Sequence, residues 1–239
     1  MLKWKRGIAG PGKFAMADGT TVSYIDPVGF AISYNEIFVD QTYYFETENK
    51  NPLIVDLGGN IGASTLFFKR AYPGSRVMVF EPRKNESGCI RENIAQNGLA
   101  GVSVFQSAVF DKETEMEIYD DKRGITLGAS LITNPFAGEH VEKVRCVRLS
   151  KLIKERVDLL KVDIEGSEGR VLKEIRGKLG LIDKVIMEYH PYETEKNSLP
   201  EILELLTEEG FKHRFGTSPW GEYRGKTDAS VFNIYFSKE

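Results

Sequence analysis

Residues 53–62 read Leu-Ile-Val-Asp-Leu-Gly-Gly-Asn-Ile-Gly, a short apolar strand that stops in a glycine turn. An apolar run with almost no polar alternation belongs to a strand buried on both faces, as in a parallel sheet covered by helices. The glycines permit positive φ and remove side chains that would block a ligand pressed against the backbone. Asn60 is the residue next most at ease in that conformation. Ala63–Arg70 can then continue as a helix. A second phrase, Val79-Phe80-Glu81-Pro82, sets an acid at the end of another apolar strand, 23 residues past Gly58. Dinucleotide folds place a ribose-binding carboxylate at about that spacing. Together the two phrases predict a site for a nucleoside-containing cofactor.

The turn Gly58-Gly59-Asn60-Ile61-Gly62 lacks the second glycine of Gly-x-Gly-x-x-Gly, the loop that cradles a pyrophosphate at a helix N-terminus. Asp56 would also repel phosphate and attract an ammonium. S-adenosylmethionine carries an ammonium and a sulfonium and no phosphate, so it is the expected cofactor in preference to a nicotinamide dinucleotide. Glu81, as an ionised acceptor, would take two ribose hydroxyls, each bond worth about 1.5–3 kcal/mol. The competing reading makes it an acid that starts the helix after Pro82. Ser107 and Ala108, past a third strand, are small enough to let an adenine ring lie against the backbone. The expected cofactor-binding residues are Asp56, Gly58, Gly59, Asn60, Gly62, Glu81, Pro82, Ser107, Ala108 and Asp163.

From residue 53 strands alternate with helices. Strands are expected at 53–57, 76–80, 102–106, 157–163, 183–188, 210–215 and 230–236, and helices at 62–71, 84–96, 149–155, 167–176 and 199–209. The pattern predicts an α/β domain over residues 51–239, with a seven-stranded, mainly parallel sheet and helices on both faces. Ser198 with Glu201 forms a capping box for the last helix. Residues 1–50 are expected to be a small N-terminal addition, a hairpin of Thr20–Ile25 with Val28–Tyr34 followed by a helix or ordered loop, and a lid is one role for it. Between 110 and 147 the alternation breaks into extra strands, Glu113–Tyr119 and Lys143–Val147. Insertions of this kind carry specificity in such folds. An antiparallel hairpin around Trp220–Tyr223 would close the sheet edge.

With 239 residues and 41% apolar content the chain can bury one sizeable core. A net charge of −3 gives no strongly basic face, so nucleic acid is not the expected partner. Cys89 and Cys146 stand far apart and read as reduced, packed thiols. No apolar run approaches a membrane span, and the first ten residues have no signal-peptide core. A cytoplasmic protein is the expectation. The oligomeric state is not legible.

Val55–Gly62, Phe80-Glu81-Pro82, Asn93, Asn97, Ser107-Ala108-Val109, Lys161–Glu168 and Met187-Glu188-Tyr189-His190 together resemble the FkbM family of S-adenosylmethionine-dependent methyltransferases. Glu36–Val39 with Tyr43 and Tyr44 is similar to the segment that precedes that family's glycine loop. The resemblance spans about residues 35 to 215. It implies a class I (Rossmann-like) methyltransferase fold and methylation of hydroxyl oxygens on sugars or natural products. The identity of the acceptor does not carry over.

An alcohol acceptor must lose its proton as the methyl arrives. His190 is the first choice of general base, because imidazole titrates near neutrality, and Glu188 is the second. Asp163 would meet the methionyl part of the cofactor. Glu165 and Glu168 are substrate-side candidates, although acids also simply start helices well. Tyr43 and Tyr44, with Trp220 and Tyr223, could wall the acceptor pocket, but aromatics in such numbers more often pack a core. Asp163, Glu165, Glu188 and His190 could hold a divalent metal. No spacing demands one, so the metal stays unassigned. Asp163-Ile164-Glu165-Gly166 stands where amino-group methyltransferases of nucleobases carry Asn/Asp-Pro-Pro-Tyr/Phe. The expected acceptor is therefore a small-molecule or glycan hydroxyl. An RNA methyltransferase and a non-catalytic cofactor-binding protein are the alternatives.

Overall fold

The computed structural model describes residues 10–121, 127–131, 137–191, 198–216 and 231–238. At the start β1 (Gly12–Ala15) and β2 (Thr21–Tyr24) pair as an antiparallel hairpin. Then come α1 (Pro27–Tyr34) and one π-helical turn, Asn35–Val39. The expected second strand at Val28–Tyr34 is therefore a helix. Asp26 accepts the Gly29 N–H and Pro27 takes the first helical position, and this start signal outweighs the strand-like alternation.

The main body follows as β3 (Leu53–Leu57), α2 (Ala63–Ala71), β4 (Arg76–Phe80), α3 (Lys84–Gln96) and β5 (Val102–Phe105). An insertion contributes β6 (Ala108–Val109), β7 (Thr114–Asp121) and β8 (Ala137–Val147). The chain continues with β9 (Val157–Val162), α4 (Glu168–Glu174), β10 (Ile182–Tyr189), α5 (Ser198–Glu208), β11 (Lys212–Phe215) and β12 (Phe232–Ser237). The seven-stranded sheet has the order β11-β12-β10-β9-β3-β4-β5. Strands β10, β9, β3, β4 and β5 run parallel, and β12 lies antiparallel between β10 and β11. From β3 the chain builds outward through β4 and β5, then returns to add β9 and β10 on the other side. That reversal is a switch point, and open α/β sheets bind ligands beyond the carboxyl ends of the strands there.

Other boundaries move as well. The helix expected over 149–155 is a single 3₁₀ turn, Leu149–Lys151, because the chain must enter β9 six residues later. The helix expected over 167–176 stops at Glu174, and a 3₁₀ segment, Arg176–Leu181, carries Gly177 and Gly180. The capping box at Ser198 yields to tertiary partners: the Ser198 hydroxyl pairs with the Tyr189 hydroxyl at 2.9 Å, and Glu201 pairs with Lys173. Trp220 and Tyr223 lie outside the described residues.

Helices cover both faces. On one, Val55, Leu57, Leu160, Val162 and Met187 pack against Val171 and Leu172 of α4 and Ile202 and Leu206 of α5. On the other, Ile54, Val77, Val79, Leu159 and Ile186 meet α2, α3 and the N-terminal residues Met16, Val22, Phe30, Ile37 and Phe45. Strand alternation places Asp56, Lys161 and Glu188 on this second face. Both cysteines are buried free thiols. No helix among the described residues is long and apolar enough to cross a membrane.

Asn93 of α3 fastens the N-terminal hairpin to the glycine turn. Its Oδ1 accepts the Ser23 N–H at 2.7 Å, and its Nδ2 donates to the carbonyls of Ser23 (3.0 Å) and Ile61 (2.8 Å). Asn93→Ala is expected to destabilise the fold by about 3 kcal/mol, since each buried group left unpaired costs about 1–3 kcal/mol. The melting temperature should drop by roughly 6–12 °C. A thermal melt within about a degree of wild type would show that the clip does not stabilise the fold.

Candidate active site

The turn between β3 and α2 adopts the predicted geometry, with φ of 82° at Gly58, 47° at Asn60 and 87° at Gly62. A Cβ on Gly58 would collide with the Asp163 carbonyl oxygen, and one on Gly59 with the Val79 side chain. Backbone therefore lies against backbone at the mouth of the sheet. The N–H groups of Gly58 and Gly59 both donate to the Phe80 carbonyl at 3.0 Å, which wraps the turn over the end of β4.

Glu81 follows directly. It is 6% exposed. Its Oε2 accepts the Asn60 N–H at 2.9 Å, and its Oε1 accepts the Arg83 N–H at 3.1 Å. Burial pushes its carboxyl up to about 7, against the opposing pull of Arg83. Arg83 also pairs with Glu86 at 2.8 Å and with Asp120 of the insertion at 3.0 Å. Ser107 and Ala108 are buried just past β5, the neighbour of β4. Pro82 is half-buried beside Glu81. The structure thus brings Gly58, Gly59, Asn60, Glu81 and Pro82 together at the carboxyl ends of β3 and β4, sets Gly62 against Ile90 of α3, and leaves Ser107 and Ala108 at the next strand end.

Asp56 behaves differently from its expected role as an anchor for the cofactor's ammonium. It is fully buried, and its cation comes from the chain itself. Lys161 Nζ lies 3.1 Å from Asp56 Oδ1 and 3.5 Å from Asp163 Oδ2, and it donates to the carbonyls of Leu57 (3.2 Å) and Gly58 (2.8 Å). Ser64 donates to Asp56 Oδ2 at 2.6 Å. Burial opposes the charge on Lys161, but Asp56 and Asp163 outweigh it and hold the ammonium above its ordinary pKa. Lys161 is a site residue that the sequence reading gave no role. Its signal was a lysine inside the apolar strand Leu159-Leu160-Lys161-Val162. Asp163, with a side chain 27% exposed, is the acid of this group that reaches the crevice.

Tyr43 joins the group and Tyr44 does not. The Tyr43 hydroxyl donates to Asp163 Oδ2 at 3.4 Å, and its ring faces the Lys161 ammonium at 5.2 Å. Burial first, then Glu36 and Asp163, hold that hydroxyl well above its usual pKa. Tyr44 is 51% exposed and its ring faces Tyr72.

Beyond Asp163 stands a histidine among acids. His190 is 3% exposed. Its Nδ1 lies 3.0 Å from Glu168 Oε1, and its Nε2 lies 3.5 Å from both Glu165 Oε2 and Glu188 Oε1. Glu168 is itself buried and accepts the Gly166 N–H at 3.0 Å, so it faces His190 rather than open space. Burial disfavours the imidazolium, yet Glu165, Glu168 and Glu188 together raise the His190 pKa well above its ordinary value. The expectation of an imidazole titrating near neutrality is therefore corrected, because three carboxylates converge on it. Glu165 has a φ of 53°, and its carbonyl accepts the Ser130 hydroxyl at 2.6 Å. That bond ties the insertion to the site.

Glu36, on the π turn, is a second residue given no role by the sequence reading. It is buried, and its carboxyl faces that of Glu188. Burial, then Glu188 and Asp163, push it up to about 9. The signal was an acid in the run Asn35-Glu36-Ile37-Phe38-Val39, on a π turn of the kind often found at functional sites.

Residues 56–213 match the family model described as the methyltransferase FkbM domain. The chain is 33% identical over 200 residues to Methyltransferase 1 of Beauveria bassiana, covering 74% of this chain and 79% of that protein. It is 30% identical over 231 residues to 31-O-demethyl-FK506 methyltransferase FkbM of Streptomyces tacrolimicus, covering 82% and 87%. The fold is similar to the crystal structure of methyltransferase FkbM from Methylobacillus flagellatus KT, with a TM-score of 0.55 and 16% identity over 80% of this chain. The present chain spans 45% of the length of that one. A glycine turn with an acid on the next strand, on this sheet order and over this matched span, places the chain in the FkbM family of S-adenosylmethionine-dependent methyltransferases.

Proposed function

We propose that the chain moves the methyl group of S-adenosylmethionine onto a hydroxyl oxygen of a small molecule, on a sugar, a glycan or a natural product. The observation that carries this reading is the group of Glu165, Glu188 and His190 immediately beyond Asp163, in which the half-buried Glu165 and the buried Glu188 each lie 3.5 Å from Nε2 of the buried His190. A hydroxyl must give up a proton in the transition state, and this group is built to take it. The protons there belong to the set rather than to one residue, with Glu168 3.0 Å from one ring nitrogen of His190 and Glu165 and Glu188 each 3.5 Å from the other. The name of the Streptomyces relative, a 31-O-demethyl-FK506 methyltransferase, supports an oxygen acceptor.

The cofactor supplies an activated methyl on a cationic sulfur that leaves as a neutral thioether. The chain's own part is alignment, which can supply about 7–11 kcal/mol when both reactants are held in line. Glu81 holds the ribose hydroxyls, the Gly58–Gly62 turn receives the aminoacyl end, Asp163 faces its ammonium, and Ser107 and Ala108 leave room for the adenine. Asp56 acts through Lys161, fixing the turn and the end of β9. Tyr43 and Glu36 stand beside Asp163, while the apolar residues of the N-terminal segment cover the flank of the sheet.

A methyl-labelled cofactor, incubated with small-molecule extract, glycans and total tRNA in parallel, tests the proposal. Label is expected in the small-molecule or glycan fraction as a base-stable ether. Label confined to the tRNA would replace this reading with that of an RNA methyltransferase, despite the net charge of −3.

A further inference from the structure

We propose that Asp163, Glu165 and His190 form a binding site for a divalent first-row cation at the acceptor end of the crevice. One ligand atom from each of the three lies within 4.8 Å of the others. Two carboxylates and an imidazole are a donor set suited to manganese or zinc, and richer in nitrogen than magnesium prefers.

The ring of His190 is aimed. Its Nδ1 faces Glu168 Oε1 at 3.0 Å, and Glu168 is held in turn by the Gly166 N–H. An imidazole whose far nitrogen rests on a buried carboxylate presents the other nitrogen in a fixed direction, the arrangement usual behind metal-bound histidines. Here that other nitrogen, Nε2, points to Glu165 and Glu188, each at 3.5 Å. Charge favours a cation too. Glu165, Glu168 and Glu188 converge on His190 beside Asp163, and Lys161 is already shared between Asp163 and Asp56.

A separate observation concerns Asn233 of β12. It pairs in register with Glu188, so the two side chains leave the sheet on the same face. The Asn233 side chain is completely buried, and neither its oxygen nor its nitrogen has a hydrogen-bond partner. A buried amide with both ends unsatisfied is rare and calls for a bound polar group. The water shell of a cation beside Glu188 would supply a donor and an acceptor.

The binding claim stands by itself, and its catalytic consequence rests on the methyl-transfer reading. The acceptor's hydroxyl oxygen coordinates the cation, which acidifies it. Its proton passes to Glu188. The oxygen lone pair forms the O–CH₃ bond as the S–CH₃ electron pair returns to sulfur, leaving a neutral thioether and a methyl ether.

The test is a titration of the full, chelator-stripped chain with Mn²⁺, read by calorimetry and by loss of the free-ion electron paramagnetic resonance signal, and repeated with Zn²⁺. One saturable Mn²⁺ per chain is expected. His190→Ala and Glu165→Gln should each weaken it at least tenfold, and Glu168→Gln, which acts only through the ring, by roughly ten- to a hundredfold. Glu155→Gln, at an exposed pair with Arg76, should change nothing. If wild type binds S-adenosylhomocysteine yet takes up neither ion saturably, the cation site is wrong and the methyl-transfer reading stands. If the site variants bind the ion as wild type does, its location is wrong. The wild-type titration decides the matter even where a variant fails to fold.

Discussion

Glu81→Ala is expected to weaken S-adenosylhomocysteine binding by roughly a hundredfold, about 3 kcal/mol, which is the low end for two hydrogen bonds to an ionised acceptor. The substitution also releases the Asn60 N–H, which Glu81 holds at 2.9 Å. The turn therefore loses its brace together with the ribose contact. Glu81→Gln keeps one acceptor oxygen and should fall between the two. The carboxyl titrates at about 7 in the free protein because it is buried, and that gives the effect a pH signature. The folded pKa lies above the ordinary 4.5, so in the free fold the ionised form costs stability as pH rises from about 4.5 through 7. A ligand that needs the carboxylate reverses the preference. Affinity should be flat above about pH 8 and decline by up to tenfold per unit below 7. Binding at pH 6 should release a proton, so the apparent enthalpy will differ between buffers of unlike ionisation heat. An affinity unchanged between pH 6 and pH 8 would remove Glu81 from contact with the ligand.

Lys161→Met should be the most damaging single change to stability, at about 3–5 kcal/mol, the usual cost of breaking a buried ion pair from one side. It strands Asp56, which is fully buried, and takes from the carbonyls of Leu57 and Gly58 the side-chain donor that Lys161 supplies to both. The second half of the experiment is the double variant Lys161→Met with Asp56→Asn. Because replacing both members of a buried pair is often nearly neutral, the double variant should be more stable than the single one. Urea denaturation would measure both. A single variant within about 1 kcal/mol of wild type would show that Lys161 is a bystander.

Much of this architecture was legible because it depends on local pattern. The apolar runs at 53–57, 76–80 and 157–163 could only be strands buried on both faces, and their order with the intervening helices implied the sheet. The glycine turn was legible because positive φ restricts which residues can stand there. What failed was of two kinds. Val28–Tyr34 alternates like a strand, yet Asp26 and Pro27 start a helix, so a start signal prevailed over periodicity. The electrostatics of the site were hidden because its partners meet only in the fold. Asp56 and Lys161 stand on different strands, and Glu36 reaches Glu188 from the N-terminal π turn. A sequence shows that a charge sits inside a strand, but not which charge faces it. His190 teaches the same lesson: the residue type suggests a titration near neutrality, and acids brought by the turn after β9, by α4 and by β10 change it.

The clip at Asn93 bears on how this chain can be shortened. Its amide grips the hairpin with one set of bonds and the carbonyl of Ile61, inside the glycine turn, with another. Met16, Val22, Phe30, Ile37 and Phe45 also seal an apolar surface of the sheet. An engineer seeking a minimal catalytic fragment would be drawn to begin at residue 51, where the strand-and-helix pattern starts. That cut would uncover a greasy flank and slacken the glycine turn, so the front fifth of the molecule behaves as a keystone and trimming belongs elsewhere.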